Sequence, residues 1–241
     1  MDSAAVKSAP QGVGMLRRLY HRLPAPPSTN YQVADHQEKF WASVKVGDLV
    51  YDIGSKRQAE ISTRFIPAGV RVRSIDIDPS AQPDIVADAH DLHMVASGSV
   101  DAVFTSSVLE HVRDPWKVVS EIERILKPGG MVFIGMPFMF PFHADPDDFW
   151  RVSHKGIDLL CARFDKIESG YGRGPASCWT HLTVHFLALL FSFRSTLLYG
   201  VLVDLFKWSL FWVKWTDKLI AGHPNAHVIH AATYFIGRKR P

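Results

Sequence analysis

Between residues 48 and 137, short apolar runs alternate with longer stretches of helical periodicity. That alternation restricts the chain to a mainly parallel sheet covered on both faces by helices. Strands are expected at 49–54, 70–76, 84–87, 100–105 and 131–136. Between the last two, Val118, Val119, Ile122, Ile125 and Leu126 recur at helical spacing, which predicts a helix over 114–126. Asp114-Pro115 supplies its cap and first-turn proline, and Lys127-Pro128-Gly129-Gly130 its terminator. Further on, the pattern predicts a helix near 154–161, a strand over 164–168, and a last strand over 228–236 before the basic end Gly237-Arg238-Lys239-Arg240. In sheets of this kind ligands sit beyond the carboxyl ends of the strands, so the site is located before any motif is considered.

The chain has 241 residues, 47% hydrophobic and 12% aromatic, enough for one large α/β domain with an appendage. A formal charge of +3 argues against a dedicated nucleic-acid binder, so no nucleic-acid partner is expected. Cys161 and Cys178 are the only cysteines, which excludes a disulfide framework and favours a cytoplasmic location. Residues 1–30 carry Lys7, Arg17, Arg18, His21 and Arg22 and then Pro24, Pro26 and Pro27, without the apolar stretch of a secretory signal. They read as a flexible, basic, proline-rich leader.

Carboxylates stand at three successive strand ends. Asp52-Ile53-Gly54-Ser55 puts an acid at the end of the first strand and a glycine where the backbone must bend sharply, with N–H groups available to a polar ligand. Ser74-Ile75-Asp76-Ile77-Asp78-Pro79 ends the second strand. Asp76, rather than Asp78, is suited to accept hydrogen bonds from both hydroxyls of a ribose. Asp88-Ala89 pairs an acid for an exocyclic amine with a small residue that leaves room for a flat ring. Singly, each acid reads as a solvated turn; together they point to a nucleoside.

With those residues in place, the run from 49 to 137 resembles class I S-adenosylmethionine-dependent methyltransferases of the type 11 family. Val108-Leu109-Glu110-His111-Val112 and Arg124-Ile125-Leu126-Lys127-Pro128-Gly129-Gly130 are the most specific stretches. The resemblance implies a Rossmann-like seven-stranded methyltransferase sheet and S-adenosyl-L-methionine as cofactor. It implies Asp52, Gly54 and Ser55 near the methionine end, Asp76 at the ribose with Ile77 after it among the cofactor contacts, Asp88 and Ala89 at the adenine, and Ser106 and Ser107 beside the sulfonium. Lys56 and Gln58 stand where the family usually has its second and third glycines, which narrows the space for the ligand, and a basic Lys56 beside the methionine carboxylate is expected to compensate electrostatically.

On the acceptor side, Glu110, His111, Trp150 and Arg151 are expected to face the open edge of the pocket. The run from His143 to Arg151 is similar to a segment of relatives linked to polysaccharide and envelope pathways. A hydroxyl acceptor needs a base within hydrogen-bond reach, and His111 and His143 are the candidates; alternatively both only shape the pocket. No metal is expected. His143 with Asp145, Asp147 and Asp148 lacks a recognised cation-site spacing, and His181 with His185 lacks a third ligand.

The remaining organisation is a methyltransferase core over 31–175, an apolar helical arm over 176–222, and the last strand with the basic terminus over 223–241. A spanning helix wants about 20 predominantly apolar residues, and the dense part of the arm at 182–193 is shorter. If 197–218 is helical, Thr196, Gly200, Asp204, Lys207, Lys214 and Lys218 fall near one stripe, as in a helix lying in a membrane interface. Peripheral membrane contact through 179–219, at the cytoplasmic face, is therefore expected, with a small-molecule or lipid-linked acceptor. Packing on the sheet or on a second subunit is the competing account of the arm. A non-catalytic methyltransferase-like scaffold at a membrane surface is the alternative function. A nicotinamide-dependent oxidoreductase is disfavoured by the lack of a G-x-G-x-x-G turn.

Overall fold

The structure, a computed structural model, describes residues 24–30, 36–54, 65–144 and 146–241. The leader up to residue 23, and the positions of Ser55, Lys56, Gln58 and Asp145, lie outside the described residues. The chain divides into two compact units, one comprising 34–172 with 231–241 and the other 1–33 with 173–230.

The first unit is built on a seven-stranded sheet of order β3-β2-β1-β4-β5-β7-β6. Its strands are β1 (Leu49–Ile53), β2 (Arg71–Asp76), β3 (Ile85–Val86), β4 (Val100–Ser106), β5 (Leu126–Pro137), β6 (Phe164–Arg173) and β7 (Ala232–Lys239). Neighbours from β3 to β5 run parallel, and β7 is antiparallel to β5. Because side chains alternate across a strand, each central strand feeds two cores. Val50, Ala102, Phe104, Met131, Phe133 and Ile236 pack with Phe40 and Trp41 of helix α1 (His36–Ser43). Tyr51, Ile53, Val103, Val132, Ile134 and Phe235 meet Val118, Val119, Ile122 and Ile125 of helix α2 (Pro115–Ile125) and Ile157 and Leu160 of helix α3 (His154–Leu160). Both faces are covered, as the continuous apolar character of the strands requires.

Helix α2 starts as its sequence dictates: Asp114 accepts the Lys117 N–H at 3.0 Å and Pro115 occupies the first turn. Its C-terminal end differs. Lys127 to Gly130 do not form a loop before the strand but belong to β5, which begins at Leu126. Leu126 pairs with Val100 and Met131 with Ala102, so the extra residues bulge out of the ladder. Asp101 anchors this irregularity by accepting from Lys127 Nζ at 2.6 Å and from the Leu49 N–H at 2.9 Å. The last strand also differs from the sequence pattern. Residues 228–231 precede it, Ala226–Val228 is a 3-10 turn, and Val228 and Ile229 are exposed. Pairing decides this: the ladder runs from Pro137↔Ala232 to Met131↔Arg238, so the strand begins where the end of β5 offers it a partner, an energy that local apolar character does not supply.

The second unit is the apolar insertion ahead of β7. Helix α4 (Pro175–Phe191) and helix α5 (Thr196–Leu210) pack together, followed by a 3-10 segment (Phe211–Thr216) and the short helix α6 (Asp217–Ile220). Gly174 gives α4 no side-chain cap. The buried Asp217 carboxylate takes over that task, accepting the Ala176 N–H at 2.8 Å, the Ser177 N–H at 3.0 Å and the Ser177 hydroxyl at 2.8 Å. A negative charge among orphan N–H groups at a helix N-terminus is electrostatically favoured. Thr196–Ile220 is a continuous helical stretch of 25 residues, long and apolar enough to cross a membrane by length and composition, with none of its most apolar window buried. The 3-10 turn inside it breaks the expected stripe, since Lys214 and Lys218 no longer follow α-helical spacing from Lys207. His181 and His185 are not paired ligands: His181 Nε2 meets Asn30 Oδ1 at 2.7 Å, and His185 Nδ1 meets the Tyr199 hydroxyl at 2.6 Å.

Candidate functional site

Strands β1 and β2 run side by side with Ile53 opposite Ile75, so Asp52 and Asp76 emerge at neighbouring carboxyl ends. Both are buried. Burial foremost, and the Asp76 charge after it, push the Asp52 carboxyl up to about 7. Asp76 accepts the Asp78 N–H at 2.9 Å, while Asp78 caps the next turn by accepting from Ser80.

Gly54 follows with φ +74°, and its N–H donates to the Ile75 carbonyl at 2.7 Å. A Cβ here would collide with Val108, whose Cγ1 would lie 2.8 Å away. Glycine is therefore required twice, by backbone conformation and by the turn after β4 that lies against it. That turn holds Ser106 at the strand end and Ser107 at φ +58°, its N–H bonded to the Gly135 carbonyl at 2.9 Å. Ile77 is 63% exposed directly after Asp76, leaving an apolar side chain beside a carboxylate.

Asp88 has a different environment from the first two acids. It is exposed, and Oδ1 accepts both the His90 N–H at 2.9 Å and the His90 ring at 2.6 Å. Burial opposes its ionisation, but the His90 contacts outweigh this and hold the carboxyl below the usual range. His90 Nε2 in turn accepts the Asp114 N–H at 3.3 Å, which makes Nδ1 the protonated nitrogen. Neither the residue pattern nor the spacing had singled out His90; its position two residues after an acid in a turn is the signal that was available. Ala89 is half-buried beside the core.

On the other side, the segment after β4 and the loop after β5 bring Glu110, His111 and His143 together. Glu110 is fully buried, and neither carboxylate oxygen has a hydrogen-bond partner. His111 Nε2 lies 3.8 Å and His143 Nε2 3.7 Å from Glu110 Oε1, too long for hydrogen bonds. The two rings meet edge to face with centroids 5.1 Å apart. Glu110, first among several causes, raises the His143 imidazole above its ordinary value against the opposing effect of burial. The loop is secured by Arg151, whose two terminal nitrogens grip Asp148, and by Asp148 accepting the His143 N–H at 2.8 Å. Trp150 Nε1 donates to the Val112 carbonyl at 2.9 Å, and Arg151 also donates to the carbonyls of Phe140, Pro141 and Trp150. The polar atoms of Trp150 and much of Arg151 are thus committed to the protein's own backbone.

A mixed sheet of this order, with carboxylates at the ends of β1 and β2 and a helical insertion before an antiparallel last strand, defines the Rossmann-like class I methyltransferase fold. Residues 52–134 match the family model of a methyltransferase domain, which the chain resembles over that stretch. An uncharacterized methyltransferase of Mycobacterium leprae is 33% identical over 129 residues, 48% of this chain and 46% of that protein. The chain thus spans less than half the length of that curated relative. Among solved structures, the Haloferax volcanii methyltransferase in complex with the Trm112 methyltransferase activator superposes with a TM-score of 0.55 at 20% identity, covering 87% of this chain and 89% of that one. Phosphoethanolamine N-methyltransferase 2 of Haemonchus contortus, solved with S-adenosylhomocysteine, gives 0.52 at 19% identity, covering 88% of this chain and 55% of that one. These structural likenesses define the fold.

Proposed function

We propose that the protein is an S-adenosylmethionine-dependent methyltransferase acting on a small-molecule or lipid-linked acceptor. The observation that carries this reading is the pair of buried carboxylates, Asp52 and Asp76, at adjacent strand ends beside a glycine turn that admits no side chain. Two acids left close together in low dielectric are matched by a ligand that brings positive charge and hydroxyl donors. When bound, S-adenosylmethionine supplies an electrophilic methyl group on a sulfonium sulfur. Asp52 offers its carboxylate to the ammonium end of that ligand, and Asp76 accepts from the ribose hydroxyls. Ile77 presents apolar surface to the adenine, with Ala89 and the Asp88 carboxylate at its edge. Gly54 and Ser55 are assigned to the methionine end, and Ser106 and Ser107 to the surroundings of the sulfonium. Glu110, His111 and His143 form the polar cluster on the acceptor side, where a base for an acceptor hydroxyl is needed; Trp150 and Arg151 hold the loop that carries it. Most of the acceleration in such a site comes from holding the reactants in line and excluding water.

A lipid-linked acceptor is favoured by the second unit, which exposes Trp179, Phe186, Leu190, Trp208, Trp212 and Trp215. Tryptophans interleaved with lysines suit the headgroup region of a bilayer, and that composition supports our reading of peripheral attachment at the cytoplasmic membrane face.

Calorimetry with S-adenosylmethionine, S-adenosylhomocysteine and NAD tests the cofactor assignment. The expected result is one site for the first two ligands and none for NAD. Absence of heat at millimolar S-adenosylmethionine would retire the enzyme in favour of a scaffold. Incubation of lysates with methyl-labelled cofactor, followed by separation of lipid, glycan and small-molecule fractions, identifies the acceptor. Flotation with vesicles containing anionic phospholipid tests membrane attachment, and protein remaining at the bottom of the gradient would remove that part of the reading.

A further inference from the structure

We propose that Glu110, His111 and His143 form a binding site for one divalent transition-metal ion of the zinc type, held by Glu110 Oε1 and the Nε2 atoms of both histidines. His111 Nδ1 faces the Asp147 carbonyl, and His143 Nδ1 lies 3.2 Å from the Pro141 carbonyl. The Asp147 carbonyl only accepts, so His111 carries a proton on Nδ1 and, as the neutral imidazole, turns an Nε2 lone pair inward. His143 Nδ1 lies between the Pro141 carbonyl and Arg151 Nη2, an acceptor and a donor, so its Nε2 is free to serve as a ligand once it gives up any proton. The two Nε2 atoms face Glu110 Oε1 at 3.8 and 3.7 Å. Three ligand atoms therefore converge on one point. The carboxylate at their centre is fully buried and has no hydrogen-bond partner. A buried carboxylate of that kind is unfavourable without positive charge beside it, and a cation held at the centre of the three atoms supplies that charge.

The geometry suits an ion. All three donor atoms lie within 4.8 Å of one another. A four-coordinate ion with bonds of about 2.0–2.2 Å places its ligands roughly 3.3 Å apart, so modest rotation of the imidazoles closes the shell. Two imidazoles and one carboxylate suit zinc and its neighbours, whereas magnesium and calcium prefer oxygen throughout. The surroundings are those of a metal site as well. The His111 ring donates its outer N–H to a backbone carbonyl, the outer-shell contact that fixes the tautomer of a ligating histidine, and His143 Nδ1 lies 3.2 Å from another carbonyl. The Phe149 N–H bonds the Glu110 carbonyl at 2.7 Å, and Asp148, gripped by Arg151, holds the backbone of His143. Three protein ligands leave at least one coordination position open. A seated ion would polarise an acceptor oxygen there and ease loss of its proton, with the imidazoles acting as ligands instead of as the base.

In sequence His143 groups with the acids of its own loop, without a cation-site spacing. The cluster becomes visible only when the turn after β4 meets the loop after β5.

The test uses untagged, chelator-treated full-length protein without cofactor, so its outcome is independent of the methyl-transfer reading. Equilibrium dialysis against zinc, read by elemental analysis, and titration with cobalt(II), read by its visible d–d absorption, measure binding. We expect one ion per chain. Glu110→Gln and His143→Gln should each weaken binding by about 100-fold, at least the loss that follows removal of an outer-shell contact. His93→Gln, at an exposed histidine elsewhere, should leave binding unchanged. Near-UV circular dichroism establishes that the variants are folded; His143, 37% exposed at its side chain, is the substitution the fold tolerates best. Zinc below one-tenth of an equivalent, or binding equal in wild type and both variants (an adventitious ion only), would overturn the proposal. In that event a proton shared between Glu110 and one histidine supplies the missing positive charge.

Discussion

Arg151 closes both terminal nitrogens of its guanidinium on the Asp148 carboxylate, which is 1% exposed, and Asp148 in turn holds the backbone N–H of His143. Burial works against ionisation of Asp148, but the Arg151 hydrogen bonds and the His143 N–H outweigh it and keep the carboxyl below the ordinary range. Arg151→Ala leaves that charge buried without its partner. We expect a loss of about 2–4 kcal/mol, below the upper part of the range for broken buried pairs because Arg151 itself is partly exposed. Arg151→Lys should lose less, since one nitrogen replaces two. Urea denaturation measures both; equal stability of Arg151→Ala and wild type would show that the pair is not a brace.

Asp52 makes ligand binding and stability depend on pH in opposite senses. Its folded carboxyl titrates at about 7 against 3.8 for the ordinary group, so the folded state keeps a proton that the unfolded chain releases. The stability this confers is fully present below pH 3.8 and is lost as pH rises to about 7, by up to about 1.4 kcal/mol per unit. Asp52→Asn should flatten that slope and be the more stable protein at pH 8. A cationic ligand requires the ionised form, so S-adenosylmethionine affinity in the wild type should fall up to about tenfold per unit as pH drops below 7. Calorimetry across this range checks it, and an affinity independent of pH would remove Asp52 from contact with the ligand.

Asp76→Asn separates the two carboxylates chemically. Removing a charged acceptor for hydroxyl groups should weaken cofactor binding by roughly 10- to 100-fold, from about 1.5–3 kcal/mol per charged hydrogen bond. It should also move the Asp52 titration downward, because the Asp76 charge is one of the two causes of its upward shift. Carboxyl titration by NMR reads the second effect even where ligand binding is lost.

Gly54 and Val108 form a coupled pair. Gly54→Ala places a Cβ against the Val108 side chain at φ +74° and should destabilise by about 2–4 kcal/mol. Adding Val108→Ala removes the overlap but not the backbone strain, so roughly half of the loss should return. A double-mutant cycle by denaturation would show additive effects if the two residues were not in contact.

In the second unit, Asp217→Ala strips three hydrogen bonds from the start of helix α4. We expect a loss of about 2–4 kcal/mol, more than a surface cap, because the released N–H groups are buried. A melting temperature unchanged by the substitution would mean that α4 does not depend on this contact.

The β-alternation of the central strands and the 3.6-residue period of α2 were legible because both are local: they need only neighbouring residues to choose between water and a core. The same locality made the cap at Asp114 and the acids at the ends of β1 and β2 readable in order. The start of β5 and the bounds of β7 were not, because inter-strand pairing overrode the Lys127-Pro128-Gly129-Gly130 stop signal and the apolar run at 228–231. Tertiary structure alone decided that Asp52 is buried beside Asp76 while Asp88 is taken up by His90. It also decided that Glu110 sits between two histidines from different loops. Burial and convergence depend on residues distant in sequence, and a charge acquires its chemistry only when the groups around it are in place.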